Sequence, residues 1–146
     1  MIAAIEKQVL IDAPVAAVWE SLTDLSIMKQ WMGAEELKLE IETSWVPGSS
    51  FSIRGVHHLQ FENKGTVLEN IPGQLLSYDF LSSLSRLPDI KENHTVISFS
   101  LVPTEAGTRL NLTISNFPTE TIYQHLNFYW NTTLVMLKRR VEELIY

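Results

Sequence analysis

Apolar and polar positions change period along this chain, dividing it into a short helical stretch, a long run of strands and a closing helix. Residues 3 to 12 read as a first strand, rich in β-formers at Val9-Leu10-Ile11. Asp12-Ala13-Pro14 breaks it: Asp12 can cap, and Pro14 is tolerated in a first helical turn. Val15, Val18, Trp19 and Leu22 keep helical spacing up to Thr23-Asp24, and a second short helix from Leu25 to Met32 stops at Gly33. The period then becomes two. Leu37, Leu39 and Ile41 alternate with Lys38, Glu40 and Glu42, which predicts a half-buried strand. After Pro47-Gly48, Phe51, Ile53, Gly55 and His57 share a face. Further strands are expected from Leu59 to Asn70, Leu75 to Ser83, Thr95 to Val102 and Thr108 to Ser115. Turns are expected at Asn63-Lys64-Gly65, Pro72-Gly73, Pro88-Asp89 and Glu105-Ala106-Gly107.

From Thr119 to Tyr146 the spacing is helical again. At 100° per residue Ile122, Leu126, Trp130, Leu137, Val141 and Leu144 fall on one face, flanked by Tyr123, Tyr129 and Leu134. Thr119 can cap, Glu120 suits the first turn, and Lys138-Arg139-Arg140 suit the negative end. Roughly 25 residues at about 1.5 Å each make a rod of some 38 Å. Such a rod needs one extended surface to cover its apolar face, and the strands supply it. Segregated strands and helices predict an α+β fold, a curved antiparallel sheet of about seven strands around the closing helix. No linker or repeat divides residues 1–146, so a single domain is expected.

Composition narrows the function classes. With 45% apolar and 19% charged residues, the chain has the make-up of a water-soluble globule. A net charge of −6, with one basic cluster followed directly by Glu142-Glu143, argues against nucleic acid. The absence of cysteine removes disulfides, thiolate metal sites and a cysteine nucleophile, and four scattered histidines give no metal site. No catalytic or cofactor motif is recognisable, so no cofactor is expected. The N-terminus reaches charge too early for a signal-peptide core and no apolar run approaches a membrane span, which points to the cytoplasm. Glycosylation-type triplets at Asn93, Asn111 and Asn131 read as chance, the last two falling in strand and helix.

An ordered series of short motifs resembles the SRPBCC, or START-like, helix-grip superfamily. Its opening is similar to Ala13-Pro14, Val18-Trp19, Leu22-Thr23-Asp24 and Trp31. The series continues in Trp45-Val46-Pro47-Gly48 with Phe51, Lys64-Gly65-Thr66-Val67, and Pro72 with Leu76 and Tyr78. It closes in Phe99-Ser100-Leu101, Gly107-Thr108-Arg109-Leu110, Phe117, Trp130 and Leu137-Lys138. The nearest branch is the one named after the activator of the heat-shock chaperone ATPase, the Aha-type or AHSA-like proteins. The resemblance implies the helix-grip fold, and a function among those the superfamily hosts: carrier, polyketide cyclase or chaperone activator. Members commonly carry glycine before the terminal-helix tryptophan, where this chain has Tyr129, whose phenol would narrow a cavity or give it a hydroxyl donor.

Alternation assigns the inward faces to Leu37, Leu39, Ile41 and Trp45; Phe51, Ile53 and His57; Leu76, Tyr78 and Phe80; and Ile97, Phe99 and Leu101. Facing them, Leu126, Tyr129, Trp130 and Thr133 of the closing helix, with Trp31 of the second short helix, complete the candidate lining. Each apolar member also reads as plain core. Glu69 shares parity with Val67 and Ile71, so an unbroken strand aims its carboxylate inward, whereas a bulge turns it to water. His57 is the inward member of the His57-His58 pair, or a solvated residue near a strand end. Thr133 lines a cavity or bonds back to the preceding turn.

Three functions follow. The first is binding of a small hydrophobic or aromatic molecule between helix and sheet, with Glu69, Tyr78, His57, Tyr129 and Thr133 as polar anchors. Burying ~300 Å² of apolar ligand would contribute about 7 kcal/mol before ordering costs. The second is a polyketide-cyclase-like enzyme using Glu69 or His57 to move a proton. The third, implied by the branch's name, is a chaperone-interacting module, although no separate chaperone-clasping domain is visible in the chain. An edge strand could support a homodimer.

Overall fold

The computed structural model describes residues 2–145, and side chains as far as residue 143. Strand β1 (Ile5–Ile11) leads into helices α1 (Val15–Thr23) and α2 (Leu25–Met32). Six strands follow: β2 (Glu40–Thr43), β3 (Ser50–His57), β4 (Leu59–Ile71), β5 (Leu75–Ser82), β6 (Thr95–Thr104) and β7 (Gly107–Ser115). Helix α3 (Glu120–Ile145) closes the chain. The strands form one curved antiparallel sheet in the order β1-β7-β6-β5-β4-β3-β2, the helix-grip arrangement expected from the sequence.

Local chemistry sets most boundaries. Asp24 caps α2 by accepting from the N–H groups of Ser26 at 3.0 Å and Ile27 at 3.2 Å. These bonds, with that from the Ser26 hydroxyl, hold its carboxyl below the usual range. Thr119 accepts from the Ile122 N–H at 3.2 Å at the start of α3. Ahead of α1 the cap position is held by Pro14, just before the first helical turn in which the sequence placed it.

Two expectations fail for identifiable reasons. The alternating stretch from Leu37 becomes a strand only at Glu40, because Glu35–Leu37 form a 3-10 turn and Lys38 takes a left-handed φ of 50°. Leu39 and Ile41 are buried all the same, so burial rather than pairing explains the alternation. Asn63-Lys64-Gly65 is no turn. It lies inside β4, and the β3–β4 hairpin reverses at His58, where φ is 64°. Glycine at 65 answers to tertiary crowding: a Cβ there would stand 1.9 Å from the Asp79 carbonyl oxygen. Near the end of α3, Glu142 accepts from Lys138 Nζ at 2.6 Å and from the Asp12 N–H at 2.8 Å, and these bonds lower its pKa.

The core lies between the concave face of the sheet and the three helices. Leu126, Trp130, Leu134, Leu137 and Val141 are buried along α3, with Ile122, Tyr123 and Tyr129 half-buried beside them; the side chain of Leu144 lies outside the described residues. Two tryptophans tie α1 into this core. Trp31 Nε1 donates to the Ser21 carbonyl and Trp45 Nε1 to the Thr23 carbonyl, both at 2.8 Å, occupying acceptors that a helix end leaves free. The Ser21 hydroxyl is buried without a hydrogen-bond partner. Ser21→Ala is therefore expected to stabilise the protein by about 1 kcal/mol, read as a rise in the urea midpoint at unchanged m. A lower midpoint would mean that the hydroxyl has a use.

Candidate functional site

Two aromatic groups occupy the space between sheet and helix. On the sheet, the rings of Phe51 and Tyr78 stack at 4.0 Å, with Trp45 5.6 Å from Phe51 and 6.2 Å from Tyr78. Phe80 continues the row at 6.4 Å from Tyr78. On the helix side, Trp130 lies 6.3 Å from Trp31, 5.7 Å from Phe99 and 5.3 Å from Tyr129. Trp31, Trp45, Phe51, Ile53, Tyr78, Phe99, Leu126, Trp130 and Thr133 are buried, while Phe80 and Tyr129 are half-buried.

The sequence therefore brings eleven of its thirteen candidates to the sheet–helix layer, and two are turned away. Glu69 is exposed because β4 bulges between Val67 and Glu69: Val67 pairs with inward-facing Tyr78, whereas Glu69 pairs with Ser77 on the opposite face of β5. His57 is exposed at the hairpin end, where β3 runs past the cover of the helices, and its ring lies 4.7 Å from that of His58. Neither can serve as an interior proton-transfer group, which removes the two residues on which the cyclase reading rested.

Tyr78, Tyr129 and Thr133 are the polar candidates that remain inside. Tyr78 is 2% exposed, and its ring stacks on that of Phe51. Burial, with a smaller contribution from nearby Tyr129, pushes its pKa far above that of a free phenol, so it stays protonated and can donate. Tyr129 donates to the Met32 carbonyl at the end of α2 and lies 3.9 Å from Met32 Sδ. Its pKa is pushed up to about 12 by burial, with a hydrogen bond from Thr133 acting in the opposite direction. Thr133 is itself buried, beside Tyr129 of the preceding turn.

Trp45 has a left-handed φ of 62°, costly for a bulky residue, and three bonds hold it there. Its N–H donates to Thr43 Oγ1 at 3.1 Å, its indole to α1, and its carbonyl accepts from Asn70 Nδ2 at 3.0 Å. The rigid sheet-side wall of the site follows from these tethers.

Two depressions lie away from this layer. One, of about 150 Å³, sits among Glu62, Lys64, Leu81, Ser82, Ser83, Leu87 and Asp89. The other is an open hollow of about 620 Å³ between the Asp12–Val15 and Pro103–Gly107 segments. Among the described residues no group of three or more histidines and carboxylates is placed to hold a metal ion, and no helix is long and apolar enough to cross a membrane.

One cluster was missed. Asp79 and Asp89 flank His94, and nothing in the local sequence of β5 marks Asp79 as the buried partner of a histidine 15 residues away.

A model of the family described as activator of Hsp90 ATPase homolog 1-like protein matches residues 12–142. Among curated proteins none matches. Of the solved structures, a protein of Cytophaga hutchinsonii is 29% identical, with 99% of this chain and 97% of that one covered and a TM-score of 0.80. A Chromobacterium violaceum protein, 19% identical with coverage of 97% and 99%, superposes with a TM-score of 0.84. The Aha1 dimer of Colwellia psychrerythraea, 23% identical with 97% of each chain covered, gives 0.75.

Proposed function

We propose, from the premise that this chain belongs to the activator of Hsp90 ATPase homolog 1-like family, that it binds a small aromatic molecule carrying a hydrogen-bond acceptor, in the layer between Tyr78 and Tyr129. The observation that carries this reading is the buried ring of Tyr78 stacked at 4.0 Å on Phe51, with a phenol that burial keeps protonated and able to donate. A ligand carbonyl that accepts from that hydroxyl would contribute about 0.5–1.5 kcal/mol. The surrounding rings of Phe51, Trp45 and Phe80 suit a flat apolar body. The indoles of Trp31 and Trp130 already fill the far half of the layer, so the ligand is small and enters by displacing Tyr129 from Met32.

Titration of the isotopically labelled protein with aromatic ketones of one to three rings tests this. Amide shifts are expected at Phe51, Tyr78, Phe80 and Tyr129, with affinity in the micromolar range or weaker. Tyr78→Phe is expected to raise Kd about 5- to 10-fold, the worth of one neutral hydrogen bond. Shifts confined to the outer depressions, or an unchanged Kd in Tyr78→Phe, would remove the assignment.

Self-association is a second reading, favoured by the outward stripe of Phe128, 76% exposed, with Val135 and Met136 on α3. A second copy laid antiparallel would set Glu120 at one end of that stripe toward Arg139 or Arg140 at the other. Sedimentation equilibrium decides it: a dimer weakened by Phe128→Glu supports the stripe, and a monomer at high micromolar concentration rejects it. A chaperone partner rests on the family description alone.

A further inference from the structure

The segment joining β5 to β6, residues 83–94, folds back over the outer face of the sheet and ends at a histidine set between two carboxylates. His94 Nδ1 lies 3.0 Å from Asp79 Oδ1 and its Nε2 lies 2.6 Å from Asp89 Oδ1. A neutral imidazole has one N–H and one lone pair, so it can donate to only one carboxylate; only the imidazolium satisfies both. The two carboxylates differ in how firmly they are held. Asp79 is buried on β5 and also accepts from the Thr66 N–H at 2.9 Å, whereas Asp89 stands exposed on the segment itself. Beneath the segment Leu87 faces Leu81, with Glu62 and Lys64 of β4 alongside in the 150 Å³ depression.

We propose that His94 is a proton-operated latch: as imidazolium it clamps residues 83–93 onto β5 between Asp79 and Asp89, and on losing its proton it lets Asp89 and that segment go.

The charged groups around the ring agree with this. Asp79 comes from β5 and Asp89 from the segment; Lys64 of β4 reaches Asp89 at 3.7 Å, and Glu62 lines the same depression. Burial disfavours charge on His94, but the hydrogen bonds and charges of Asp89 and Asp79 outweigh it, and the pKa is raised above 6.5. The bond from His94 lowers the pKa of Asp89 correspondingly, against a smaller effect of burial. The signs follow. A raised histidine pKa means the clamp is fully present below pH 6.5 and is lost as pH climbs through the raised value. A depressed Asp89 pKa means it is also lost as pH falls through that lower value. The amide of Asn116, bonded to the carbonyls of Glu92 at 2.9 Å and His94 at 2.7 Å, keeps the C-terminal end of the segment in place, so opening swings residues 84–90.

A pH titration of the full chain by nuclear magnetic resonance between pH 5.5 and 9.5 tests this. The expected result is a His94 midpoint above 6.5, with heteronuclear Overhauser values of residues 84–90 falling at the same midpoint while β6 and β7 stay unchanged. In His94→Gln the step disappears and residues 84–90 are mobile throughout. Should that variant not fold, Asp89→Asn, a surface change, decides: its His94 midpoint drops by at least half a pH unit and the segment is loosened at pH 6. A wild-type midpoint at or below 6.5, a segment that stays ordered through it, or an Asp89→Asn variant that behaves as wild type overturns the latch.

Discussion

Trp130→Ala is expected to lower the stability of the protein by about 3–5 kcal/mol, the largest loss from a single truncation in this core. The indole is 2% exposed at the middle of α3 and lies against three other aromatic rings, Trp31, Phe99 and Tyr129, from a second helix, the sheet and the adjacent position of its own helix. Its removal opens a void that those rings cannot close together, since Trp31 is fixed to α1 through its N–H and Tyr129 to α2 through its hydroxyl. For a domain of this size the melting temperature should fall by on the order of 10 °C. Urea denaturation measures the free energy directly. A loss below about 1.5 kcal/mol would mean that the layer between helix and sheet is loosely filled, which would enlarge the room available to a ligand.

Gly65→Ala is expected to cost about 3 kcal/mol or more, despite adding a single methyl group. The new Cβ would stand 1.9 Å from the Asp79 carbonyl oxygen and 2.6 Å from its Oδ1, both far inside contact distance. Backbone crowding of this kind is relieved only if β4 and β5 part, and that separation would also pull Asp79 from the Thr66 N–H. The experiment distinguishes two explanations of the glycine. A turn glycine tolerates alanine at small cost where φ is ordinary, whereas a close-approach glycine does not; a stability change under 1 kcal/mol would reject close approach. In the same variant the His94 titration should move, because its buried partner has shifted.

Legibility of the fold in the sequence followed how far each signal depends on residues close in the chain. The closing helix was readable from Thr119 onward because a 26-residue amphipathic pattern with a cap is a local property. The strands from Ser50 to Ser115 were readable for the same reason. What escaped was set by neighbours distant in sequence. Glu69 was given both orientations, and only the pairing of β4 with β5 shows the bulge that turns it outward. Lys38 adopts its left-handed backbone with no glycine or asparagine to announce it. Gly65 read as a turn because glycine beside asparagine and lysine reads that way unless the facing strand is known. For the candidate site, aromatic and aliphatic residues were placed correctly by parity, since an inward face needs only an unbroken alternation. The polar anchors were harder: His57 kept its parity but lay beyond the helix cover. The cluster around His94 has no linear signature at all.

Among the described residues, strand β1 is paired only with β7, from Ile5 against Ile114 to Ile11 against Thr108. While the chain is being synthesised, its first strand therefore waits for a partner that leaves the ribosome more than a hundred residues later, and the clasp of Glu142 on the Asp12 amide comes later still. Closing so long a loop is slow, and it leaves an apolar ribbon unpaired in the nascent protein. Expression yield should for that reason respond to substitutions on β1 more strongly than the stability of the finished molecule does.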